Sequence, residues 1–120
     1  MDKDKVLDEL KHIETSRAIK LPSAYKKFLS EEIQDKEVYE IKNKQGDSVY
    51  IFNYLDVVER NETYTIHDVE PDYFLIGQDG DLGYFICIKD SSDKIYSLDL
   101  GALGSLDMDE EAKDLYDLRA

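Results

Sequence analysis

The chain has 120 residues, 42% of them hydrophobic, and its 28 acidic and 15 basic side chains leave a net charge of −13. That length suits one domain with a single core, and no apolar run reaches the ~20 residues that cross a bilayer. The charge is lopsided: residues 1–60 carry 11 basic and 13 acidic side chains, residues 61–120 carry 4 and 15, so the second half repels nucleic-acid phosphates and attracts basic proteins.

The opening Met1-Asp2-Lys3-Asp4 leads into an amphipathic helix in place of a signal peptide, and the protein is expected to stay in the cytoplasm. Between Asp2 and Arg17, Val6, Leu7, Leu10 and Ile13 recur on one helical stripe. A second helix is predicted in Lys20–Leu29, with Pro22 in its first turn and Tyr25, Phe28 and Leu29 on its core face; Ser30–Lys36 finishes it. Val38–Ile41 and Ser48–Phe52 read as strands joined by the polar loop Lys42–Asp47, where Gly46 takes the awkward dihedral. Tyr54–Arg60 is one or two helical turns stopped by Asn61, and Tyr64–Ile66 a short edge strand.

From Tyr73 to Leu100 the pattern is clearest. Tyr73–Ile76, Tyr84–Ile88 and Ile95–Leu100 are aromatic and β-branched runs separated by Gly/Asp/Ser-rich turns, which predicts a three-stranded antiparallel meander. Tyr84–Ile88 is apolar on both faces, as a central covered strand would be. In the last run Tyr96, Leu98 and Leu100 face one way, and Ser97 and Asp99 define a wet face. After the flexible Gly101–Ser105, Asp107 and Glu110 have capping-box spacing, predicting a closing helix with Met108, Ala112 and Leu115 on its buried stripe. The fold class is therefore α+β: residues 1–120 form a single domain, with an antiparallel sheet of about five or six strands, two N-terminal helices and one C-terminal helix.

Little in the chain signals a reaction. His12, His67 and Cys87 are the only strong nitrogen or sulfur ligands and have no clustered spacing, so no metal or cofactor is expected. Cys87 lies inside an apolar run and reads as a small buried hydrophobe, with no partner for an internal disulfide. Asp79-Gly80-Asp81 fails as a helix-loop-helix calcium loop, because the sixth and twelfth positions are Tyr84 and Asp90. Nor does a Lys-Ser/Thr pair follow Gly77–Gly80 to make a phosphate cradle. Carboxylate pairs are too numerous to single out an acid and a base. The expectation is a protein that binds and does not catalyse. Nine tyrosines, with apolar rings and wet hydroxyls, serve small cores and protein interfaces alike.

Two blocks carry a family resemblance. Leu21-Pro22-Ser23-Ala24-Tyr25-Lys26-Lys27-Phe28-Leu29 is similar to the helix start of the SUKH superfamily, and Tyr73–Gly77 with the Asp/Gly-rich turn into Tyr84-Phe85 resembles its Ile-Gly hairpin. In the place of that family's usual Asn-Gly pair, this chain has Ser30-Glu31-Glu32. The resemblance implies an immunity-type protein that binds and neutralises a cognate toxin, often a nuclease, of a bacterial polymorphic toxin system. The partner would be basic, bound without cofactor, nucleic acid or membrane. Asp79, Asp81, Asp90, Asp93 and Asp99, on the turns and wet face of the meander, are the candidate contacts; the plain alternative is that they form turns and keep the surface soluble. A regulatory adaptor that binds host proteins is the second reading. A small-molecule sensor or enzyme is the third, favoured by a concave pocket with convergent polar groups.

Overall fold

The computed structural model describes residues 2–119. Six strands form one antiparallel sheet whose spatial order repeats the chain order. They are β1 (Glu40–Lys42), β2 (Ser48–Ile51), β3 (Tyr73–Asp79), β4 (Leu82–Cys87), β5 (Ile95–Asp99) and β6 (Asp109–Ala112). Five α-helices accompany them: α1 (Lys3–Arg17), α2 (Ser23–Phe28), α3 (Asp56–Thr63), α4 (Ile66–Val69) and α5 (Leu115–Leu118). This is the α+β class read from the sequence. Among the described residues no helix is long and apolar enough to cross a membrane.

The first helix starts where its residues say it should. Asp2 accepts a hydrogen bond from Lys5 N at 2.9 Å, and Ala18 ends the helix in the left-handed region at φ 52°. Val6, Leu10 and Ile13 bury its apolar stripe. Pro22 immediately precedes α2, which runs on into a wider π-type turn over Leu29–Ile33. Tyr25, Phe28, Leu29 and Ile33 enter one core with Val49, Ile51, Tyr84, Ile86 and Ile95 of the sheet. Tyr84, Phe85, Ile86 and Cys87 are all buried, as a central strand requires. At Gly77, opposite Ile51, β2 and β3 pack closely. A Cβ there would lie 2.6 Å from Tyr50 O, so only glycine fits.

Strand β3 has two kinds of neighbour along one edge. β2 pairs with Gly77 and Gln78, and Phe52 N still donates to Ile76 O at 3.0 Å, after which β2's chain departs. The rest of that edge is finished by a side chain. Asn61, 2% exposed, donates from Nδ2 to Leu75 O and accepts from Leu75 N, both at 2.8 Å, while also donating to Val57 O at 2.7 Å. Its carboxamide presents a donor and an acceptor as a strand's peptide group would.

Four expectations need correction. Asn61 does not end its helix; α3 continues to Thr63, with Asn61 facing β3. Tyr64–Ile66 is no strand: Thr65 sits at φ 48° and opens α4, because the β3 edge it would join is already taken by Asn61. Asp107 caps no helix, since Asp109–Ala112 pairs with β5 as the sheet's last strand. Asp107, Glu110 and Glu111 would repel one another at helical spacing, whereas an edge strand lets acids face solvent. The closing helix is only Leu115–Leu118, capped by Asp114, which accepts from Asp117 N at 2.7 Å. Of the stripe assigned to it, Ala112 and Leu115 are buried and Met108 is half-buried. Finally, Ser97 is not on a wet face. The added strand β6 brings Glu111, whose Oε1 accepts from Ser97 Oγ at 2.7 Å and lets the hydroxyl be buried.

Asn61→Leu is expected to lower the unfolding free energy by about 3 kcal/mol in urea titration, since two buried backbone groups lose their partner at about 1–3 kcal/mol each. A loss below about 1 kcal/mol would show that the clamp is dispensable.

Candidate functional site

Strand register decides which acids meet. Leu82 pairs with both Asp79 and Asp99, so the β3–β4 turn and the end of β5 lie together. β2 runs antiparallel to β3 with Tyr50 opposite Gln78, which brings the preceding β1–β2 loop to the same end. β6 enters with Asp109 opposite Ser97. One end of the sheet therefore collects Asp47, Asp79, Asp81, Asp99 and Asp109.

The local chemistry of this end is turn chemistry. Gly80 occupies φ 58° between the paired residues Asp79 and Leu82, and Gly46 occupies φ 89° in the β1–β2 loop. Asn43, buried beneath that loop, accepts from Gln45 N and Asp47 N at 3.1 and 2.9 Å. Backbone and amide groups thus hold both turns, and the carboxylates of Asp47, Asp79 and Asp81 are left out. Among the described residues those three make no side-chain hydrogen bond or ion pair. Asp99 accepts from Gly101 N at 2.8 Å and keeps its other oxygen. Two lysines stand nearby, but Lys44 is bound to Asp117 at 2.8 Å and Lys42 donates to Gly46 O at 3.4 Å.

The carboxylates act together on the one phenol beneath them. Burial pushes the Tyr84 pKa up, its hydrogen bond with Asn43 works against that, and the negative charges of Glu111, Asp79 and Asp47 push it up further. All three charges push the balance toward the neutral phenol of Tyr84.

The five candidate residues do not form one face. Asp79, Asp81 and Asp99 gather at the end just described. Asp90 and Asp93 lie in the β4–β5 loop at the opposite end, and both are committed to structure. Asp90 accepts from Ser92 N at 2.9 Å, a bond that holds its carboxyl below the usual range. Asp93 accepts from Ala24 N at 3.0 Å and so caps the start of α2 from 69 residues away. Asp47 and Asp109, which the sequence reading did not nominate, join the acidic end instead. The signal for Asp109 was present in the run Asp107–Glu111, too rich in like charges at helical spacing for a stable helix.

The other reactive side chains stay apart. Cys87 is a free, buried thiol on β4, and His12 and His67 are both exposed. Among the described residues no three His, Cys, Asp or Glu side chains are placed to hold a metal ion. Neither a protein-family model nor a curated protein matches the chain.

Thermal or urea unfolding separates the two groups of acids. The double variant Asp79→Asn/Asp81→Asn is expected to stay within about 0.5 kcal/mol of the parent, as these carboxylates hold nothing. Asp93→Ala is expected to lose about 1 kcal/mol with its cap. The reverse ranking would contradict the assignment of Asp79 and Asp81 to a free surface.

Proposed function

We propose that this is an immunity-type protein that binds and neutralises a basic, nuclease-class toxin through the acidic end of its sheet. The observation that carries the proposal is a set of carboxylates, Asp47, Asp79 and Asp81, unpaired among the described residues and standing on turns that other groups already hold. In a chain of net charge −13 they add a local field to a global one. A nuclease presents a cationic cleft to its substrate. Carboxylates on a rigid sheet end would steer such a partner into contact and occupy the place of substrate phosphates. Neutralisation in this reading is blockade, with no bond made or broken and no cofactor involved. The similarity to SUKH immunity proteins in the Leu21–Leu29 and Tyr73–Phe85 blocks supports the same reading, and so does Leu106, 66% exposed beside Asp107, as an apolar anchor at a protein interface.

Co-expression with a basic, nuclease-class toxin domain, sought first among the neighbouring open reading frames, tests it. Growth rescue and a co-purifying complex are expected, with an association rate that falls steeply as salt rises. Neutralising Asp79, Asp81 and Asp99 together to Asn is expected to slow association about tenfold at low salt. Loss of both rescue and complex, with the protein folded, would transfer the chain to the adaptor reading; an association rate indifferent to salt would remove the electrostatic mechanism.

A further inference from the structure

At the end of the sheet opposite the acidic turns, a cleft of about 400 Å³ opens between the C-terminal end of α1, α4 and the start of β3. Its walls are unlike the rest of the surface. In a chain with 28 acidic side chains, none of its lining residues is Asp or Glu. Ile19, Pro71, Phe74 and Ile88 make the apolar part, and Ser16, Arg17 and Tyr73 supply groups able to donate hydrogen bonds, while His67 Nε2 is already 3.1 Å from Asp68 just outside the lining. Asn61 also reaches the wall, but its carboxamide is spent on Leu75 and Val57.

Arg17 is the centre of this arrangement. Its side chain is only 22% exposed, and the guanidinium lies 5.8 Å from the centroid of the Phe74 ring, which fixes it at the cleft. Among the described residues its one carboxylate partner is Glu62, 69% exposed, at 3.4 Å from Nη2. Charge-assisted hydrogen bonds are normally about 2.7–2.9 Å, so this one is loose, and most of the guanidinium's five donors remain unused. Glu62 approaches from outside the cleft. It lines a neighbouring hollow of about 590 Å³ between α1 and α3, which shares Ser16 and Arg17 with the cleft but also holds Glu9, so an anion is less favoured on that side of the guanidinium.

We propose that the cleft at Arg17 binds a small organic acid, with its carboxylate on the guanidinium in place of Glu62 and an aromatic or branched apolar body against Pro71, Tyr73 and Ile88. A neutral apolar ligand would leave the half-buried cation without a better partner, and an inorganic anion would leave the apolar wall wet. A ligand with both parts satisfies both. The site lies at the other end of β3 from the acidic turns and does not depend on the function assigned to them.

The test is an amide chemical-shift titration of the full chain with 3-phenylpropionate and, in parallel, its uncharged amide. Saturable shifts are expected at Arg17, Ile19, His67, Tyr73 and Ile88, with a dissociation constant of about 1 mM or tighter, as small fragments reach in a formed pocket. The uncharged amide should bind at least about tenfold more weakly, because it forgoes the charge-assisted contact. Arg17→Met should abolish that preference. Glu62→Gln, which leaves the cleft wall intact and removes the competing carboxylate, should enlarge it. Shifts that remain linear to about 10 mM, equal binding of acid and amide, or a preference unaltered by either substitution would overturn the proposal. A tripeptide with a C-terminal phenylalanine that bound much more tightly than phenylpropionate would likewise overturn it, in favour of a chain terminus as ligand.

Discussion

Strand β3 is completed by a side chain. Below Gly77 it has β2 as a neighbour, and above Gly77 it has the carboxamide of Asn61, which meets Leu75 N and O at 2.8 Å each. A sheet that lost its neighbour halfway along a buried strand would leave peptide groups without partners in the core, which natural folds avoid. By closing that gap from α3, the chain lets β2 turn away into helix at the point where the cleft begins. The same side chain ties α3 to the sheet through Val57 O. Helix, strand edge and cleft wall therefore share one residue.

The two functional proposals lie at the two ends of this strand. Asp79 closes β3 at the acidic end, and Tyr73 and Phe74 open it at the cleft. Each end follows one electrostatic rule with opposite sign. At the acidic end, backbone turns and Asn43 satisfy the local geometry, so the carboxylates are left to solvent and their field reaches Tyr84 below. At the cleft, no lining residue is an acid, and the guanidinium's carboxylate partner among the described residues, Glu62, is exposed and at the long distance of 3.4 Å. Of the acids at that end, Asp90 and Asp93 are spent on Ser92 N and Ala24 N, Asp68 pairs with His67 at 3.1 Å, and Glu70 accepts from Gly104 N at 2.7 Å.

What could be read from residues alone was whatever local periodicity determines. α1, the β3–β4 hairpin and the central position of Tyr84–Cys87 followed from helical spacing, apolar runs and the Gly/Asp-rich turn between them, although the pairing of Asp79 with Leu82 makes that turn shorter than the sequence suggests. What could not be read depended on partners distant in sequence. Asp109–Glu111 looks like a helix start until the open edge of β5 is available to pair with it. Asn61 looks like a helix stop until Leu75 is beside it, and Ser97 looks wet until Glu111 arrives to accept its hydrogen bond. The negative excess of the second half was plain, but its division into free and structural carboxylates was not, because Asp93's partner lies 69 residues away. The cleft was invisible for the same reason, assembled as it is from three segments that share no motif.

Native-state hydrogen exchange at the Leu75 amide is the most direct test of this account. If Asn61 stands in for a strand, Leu75 N–H should open only with the β3–β4 ladder, with a protection equal to that of its ladder amides and close to global unfolding. Exchange of Leu75 at the rate of the exposed loops, while the ladder amides of β3 and β4 stay protected, would contradict it.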